Sequence, residues 1–196
     1  FLRYIASDPS VAKAAIMIDS SDWEVVCSAL GEVQGRGIVN SISLKEGEET
    51  FISHAKHIAR YGHAMVVMLF DEEGQAATYE RKISIAKRSY SLLSQAGIRD
   101  EDIIFDANVL SIATGIEEHD TYARDFILAT RELKRLYPRC HTSGGVSNLS
   151  FSFRGNDALR SAMHALFLVF ADLDMAIINA SSLIDVQTLN NDVRST

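Results

Sequence analysis

Apolar runs recur along the chain, and each ends in an amide, a hydroxyl or a carboxylate. Residues 14–18 stop at Asp19-Ser20, 37–39 at Asn40-Ser41 and 65–70 at Asp71. Residues 103–105 stop at Asp106 with Asn108 just beyond, and 175–178 stop at Asn179. Short β-branched runs without polar alternation read as strands buried on both faces, the habit of parallel sheets. The stretch 140–145 is weak by periodicity, but it falls where a sixth strand is required. Between the runs lie amphipathic helices. Trp23, Val26, Cys27 and Leu30 mark one, Phe51, Ala55 and Ile58 a second, and Ile83, Ala86, Tyr90 and Leu93 a third that Gly97 stops. Tyr122, Phe126, Ala129, Leu133 and Leu136 mark a fourth, ended by Pro138. Leu159, Met163, Leu166 and Phe170 mark a fifth, with Asn156 or Asp157 as its N-cap.

The resulting β-α alternation is that of an α/β protein. It is either a six-stranded open sheet or an eight-stranded barrel lacking its start. In both cases parallel strands bring their C-terminal ends to one face, which is where such folds carry their sites. That face would be rich in Asp and Asn and poor in Cys and His. It suits a flat, polar heterocycle better than a metal ion.

Composition narrows the picture. The 196 residues suffice for one well-buried domain, and a formal net charge of −7 argues against a general nucleic-acid or anionic-membrane surface. Two cysteines, Cys27 and Cys140, make no disulfide framework. Cys27 is expected to be buried, and a reducing cytoplasm fits best. No run approaches a membrane span and no signal-peptide pattern opens the chain. The opening Phe1-Leu2-Arg3 reads as a piece of something longer.

Other candidates have ordinary explanations. His54 and His57 stand three apart on a helix without a third metal ligand, so a solvated face is expected. Residues 71–74 read as a solvated loop and 117–119 as a loop-to-helix start. Arg154 and Arg160 flank Asn156-Asp157 as surface charges or as an anion site at a helix start. The small residues of 143–148 leave room for a ligand to approach backbone, but the chain has no phosphate-loop spacing.

Three stretches, Met17-Ile18-Asp19-Ser20-Ser21, Gly37-Ile38-Val39-Asn40-Ser41-Ile42-Ser43 and Ile103-Ile104-Phe105-Asp106-Ala107-Asn108, look like successive strands of the pterin-binding family. Two runs are more specific, 143–156 (SGGVSNLSFSFRGN) and Thr114-Gly115-Ile116-Glu117-Glu118-His119. They resemble the folate-binding region of cobalamin-dependent methionine synthases. The resemblance covers nearly the whole chain, from about Phe1 to Leu183. It implies a TIM (β/α)8 barrel with about six of its eight strands present, over residues 1–186, followed by a polar tail at 187–196. It implies 5-methyltetrahydrofolate as substrate, held by Asp19, Asn40 and Asp106, with Asn148 as the catalytic residue facing the methyl-bearing nitrogen. Arg154 and Arg160 match folate-binding positions. The methyl acceptor would be cob(I)alamin, carried with a zinc site by other domains of the same polypeptide; nucleic acid and membranes are not expected partners.

The chain departs from the family at Ala107, where proline is usual, in a trimmed connection before Met175, and at Ser181 in place of a glycine. Other pterin-barrel enzymes, dihydropteroate synthase or a corrinoid-protein methyltransferase, are the alternative. The former would want lysine and arginine at strand ends where this chain has Asn148 and Asn179. A non-catalytic pterin-binding remnant is the alternative of another class.

Overall fold

A computed structural model describes residues 1–182, so the expected boundary at 186 and the polar tail lie outside the described residues. After a short helix α1 (Leu2–Ala6), six parallel strands and five helices alternate. They run β1 (Met17–Asp19), α2 (Trp23–Leu30), β2 (Ile38–Ile42), α3 (Glu48–Arg60) and β3 (Ala64–Met68). A two-strand ribbon, β4 (Phe70–Asp71) and β5 (Gly74–Gln75), follows. The chain then continues as α4 (Tyr79–Gln95), β6 (Ile103–Asp106), α5 (Tyr122–Leu136), β7 (His141–Gly145), α6 (Asp157–Ala171) and β8 (Met175–Ile177).

Strand order in the sheet is β1-β2-β3-β6-β7-β8, so every crossover steps in the same direction. Right-handed crossovers that never reverse put all the helices on one face. The sheet then has to curl to protect its other face, and the six strands form a TIM-type half-barrel. The choice between open sheet and barrel is thereby decided for the barrel.

Side-chain parity confirms the two faces. Ile18, Val39, Met65, Val67, Ile103 and Phe105 join the large core under the helices. Their sequence neighbours Ala64, Val66 and Ile104 pack with Met17, Ile38 and Met175 in a smaller cluster inside the curl. Continuing that inward series by two residues reaches Asp19, Asn40, Met68 and Asp106, because alternate residues share a face. Strand β2 breaks this rhythm once. Its register with β3 shifts between Asn40 and Ile42, which turns Ile42 to the helix side while leaving Asn40 inside.

The helix ends are fixed by local chemistry. Asp22 accepts from Glu24 N at 2.9 Å, and Asn156 accepts from Leu159 N at 3.1 Å. Helix α4 closes with Ile98 N on Leu93 O (3.0 Å) and Gly97 N on Ser94 O (3.1 Å), Gly97 taking φ +79°. The run 65–70 is not one strand: it breaks after Met68, and Phe70–Asp71 turn back as the ribbon. Cys140 is buried, but Cys27 is only half-buried, on the flank of α2. Among the described residues no helix is long and apolar enough to cross a membrane.

Candidate functional site

The inward residues at the C-terminal strand ends enclose a cavity of about 280 Å³. Asp19, Asn40, Asp106 and Asn148 all line it, together with Asn108 and Gln75. They arrive from β1, β2, β6 and the 3-10 segment Val146–Phe153 that follows β7, so the curl of the sheet assembles them. A neighbouring cavity of about 350 Å³ shares Asp19, Asn40 and Met68 and runs out to Trp23. There His54 stacks on the indole at 3.5 Å between centroids. The histidine pair of α3 is therefore a packed, half-buried aromatic wall and not a solvated face.

Asp106 forms the cavity floor and is 5% exposed. Its Oδ1 accepts from Asn108 N at 2.8 Å. Burial pushes its carboxyl up to about 6, against the pull of that N–H, the Lys82 ammonium and the Gly145 N–H. Asn108 holds a left-handed backbone (φ +59°), which asparagine tolerates better than most residues, and its Nδ2 donates to Leu69 O at 2.5 Å. The Oδ1 atoms of Asn40 and Asn108 and the Oγ of Ser143 are buried without a hydrogen-bond partner. An unpaired buried polar group costs about 1–3 kcal/mol. Two amide acceptors and a carboxylate therefore stand ready for a ligand that presents N–H donors.

Asp19 and Asn148 are exposed at the rim. The Asn148 carbonyl accepts from Ser111 Oγ at 2.9 Å, which ties its loop to the segment after β6. Gly145 leaves room for that side chain, since a Cβ there would lie 3.2 Å from Asn148 Nδ2.

The two arginines are not brought to this cavity. Arg160 Nε donates to Ser150 Oγ at 3.1 Å, and Ser150 Oγ also meets His164 Nε2 at 2.7 Å. Arg154 is exposed and lies over the Phe151 ring at 3.7 Å. Asn156 caps the start of α6, where Arg160 also pairs with Asp157 at 3.6 Å.

Sequence reasoning missed Lys82 and undervalued Asn108. Lys82 shares the buried stripe of α4 with Ala86, Ser89 and Leu93, and a lysine at that spacing was the available signal.

A family profile described as "Pterin binding enzyme" matches residues 1–179. Among solved structures the fold is similar to that of a Yersinia pestis DHPS with a pterine-sulfa conjugate (TM-score 0.60, 12% identity). That match covers 89% of this chain and 65% of the other, so this chain spans less than two thirds of that length. It is also similar to dihydropteroate synthase from Xanthomonas albilineans in complex with 7,8-dihydropteroate. There the TM-score is 0.60 at 16% identity, over 95% of this chain and 70% of that one. At such identities the likeness establishes the fold.

Proposed function

The chain belongs to the pterin-binding enzyme family, and on that premise we propose that its cavity binds a reduced pterin through Asp106, Asn40 and Asn108, with Asp19 at the rim. The observation that carries the reading is the inward carboxylate of Asp106 among amide oxygens that lack partners. A pterin offers an amino group and a ring N–H side by side. One carboxylate can accept both, and the two amide oxygens can take further donors.

For the reaction, the runs 143–156 and 114–119 support 5-methyltetrahydrofolate as the methyl donor in a cobalamin-dependent methionine synthase. On this reading the nucleophile would be cob(I)alamin carried by another domain of the same polypeptide, and a zinc site elsewhere would serve homocysteine. Asn148 then donates a hydrogen bond to the methyl-bearing nitrogen as its electron density rises, a contact stronger in the transition state than in the ground state. Arg154, on the exposed side of the same loop, is the candidate for the carboxylates of the folate tail.

The second reading is another pterin-barrel enzyme such as dihydropteroate synthase. Both solved structures named above are dihydropteroate synthases, and they favour this reading over methionine synthase. Against it stand Asn148 and Asn179 where cationic strand ends are wanted.

Calorimetric titration of the chain with 5-methyltetrahydrofolate and with 7,8-dihydropteroate separates the two. Tighter binding of the first supports methyl donation, and tighter binding of the second supports the synthase reading. Binding of neither rejects the pterin site.

A further inference from the structure

Among the described residues Lys82 is the one charged side chain with 0% exposure. It rises from the first turn of α4 to the underside of the pterin cavity. Its Nζ donates to Ala76 O at 2.7 Å, Ala107 O at 2.5 Å and Asn108 O at 3.3 Å. All three donors of the ammonium are used, and all on carbonyls. Two of those carbonyls belong to the loop that follows Asp106, and the third to the segment just after the cavity residue Gln75. Burial pushes the Lys82 ammonium down to about 8, while two carboxylates hold it up: Asp106 from β6 and Asp125 from α5. Asp125 is itself engaged by Thr121 Oγ1 at 2.9 Å and Arg124 Nη2 at 3.5 Å.

The three carbonyls call for three N–H donors, and a neutral side chain such as glutamine offers at most two, so the ammonium is already suited to pin them. Nor can a neutral group supply a positive charge behind a buried carboxylate. We propose that Lys82 is a positioning residue of the pterin site: it pins the left-handed loop carrying Asn108 and keeps Asp106 ionised, so that the ligand meets a carboxylate instead of an acid. The assignment rests on the reading of Asp106 as the pterin's partner.

The test follows the 13C carboxyl resonance of Asp106 against pH, without ligand, in the wild type, Lys82→Met and Lys82→Arg. The wild type should titrate near 6. In Lys82→Met the midpoint should rise by a pH unit or more, a tenfold gain in proton affinity, and Lys82→Arg should restore most of the difference. A folded Lys82→Met with an unmoved midpoint overturns the proposal. If Lys82→Met does not fold, the reverse measurement decides. The Lys82 ammonium should titrate at lower pH in Asp106→Asn than in the wild type, and an unmoved lysine overturns the coupling. Calorimetry with 5-methyltetrahydrofolate then separates the two claims. A wild type that shows the carboxyl coupling but binds no pterin refutes the proposed function and leaves the Lys82–Asp106 coupling standing.

Discussion

Asp19 and Asn40 are direct partners in the register of β1 and β2, and their side chains close the same end of the cavity. They are not equivalent. Asp19 is exposed at the rim and can exchange its ligand for water. Asn40 carries a buried Oδ1 that has no partner in the free protein. A group of that kind weakens the fold until a ligand or a bound water donates to it, and this one belongs to a residue that lines the cavity.

The first prediction follows from that asymmetry. Asn40→Ala should leave the melting temperature unchanged or raise it, because it removes an unsatisfied acceptor, while pterin affinity falls about tenfold, the scale of one neutral hydrogen bond. Thermal melts paired with calorimetry check both halves. A large loss of stability would mean that Asn40 is structural.

Binding and chemistry should separate at Asn148. Asn148→Ala should slow methyl transfer to cob(I)alamin by about 100-fold, the loss seen when one preorganised donor is removed. Folate affinity should fall much less. Asp106→Ala should instead abolish binding, since its contacts exist in the ground state too. Stopped-flow rates alongside equilibrium titration decide, and equal losses of rate and affinity in Asn148→Ala would make it a binding residue only.

The arginines should differ from each other. Arg154 lies exposed at the loop surface over Phe151, so Arg154→Ala should weaken polyglutamylated folate more than the monoglutamate. Arg160 is engaged with Ser150 and acts through the Asn148 loop, so Arg160→Ala should weaken both alike. Parallel titrations with the two folates test this, and a selective polyglutamate loss in Arg160→Ala would contradict it.

Packing behind the site is tight at Gly144. A Cβ there would stand 2.9 Å from Phe126 Cζ and 3.0 Å from Val109 Cγ2. Gly144→Ala should therefore cost about 1–3 kcal/mol, the usual penalty of overpacking, and be read as a lowered midpoint in urea. An unchanged midpoint would mean that α5 can withdraw freely.

Much of this arrangement is legible in the sequence because strand parity and strand ends are. Asp19, Asn40 and Asp106 each lie two residues beyond an inward apolar position, so the alternation that makes the strand also aims the polar group. Asn148 is legible only through the run it belongs to, since its short 3-10 segment is broken at Ser150 and carries no sustained period. The burial of Lys82 is legible from the stripe of α4 it shares, but its role is not, because two of the carbonyls it meets come from the loop after β6. The direction of Arg160 was hidden for the same reason. Its partner Ser150 lies one loop away, and a surface ion and a loop clamp look alike in sequence. The decision between sheet and barrel also rests on long-range order: six strands alone fit either, and only the unreversed pairing sequence distinguishes them.

The central claim, that Asp106 meets a pterin as a carboxylate, is tested most directly by titrating its 13C carboxyl resonance with and without saturating tetrahydropterin. In the free protein burial holds the midpoint near 6. Because this carboxyl is raised above its ordinary value, its own contribution to stability is gained as pH falls through 6 and lost as pH rises. A ligand that pairs only with the ionised form has the opposite sign and should lower the midpoint by a pH unit or more, with affinity weakening below pH 6. A bound-state midpoint at or above the free one, or no tetrahydropterin binding near pH 7, would contradict the account.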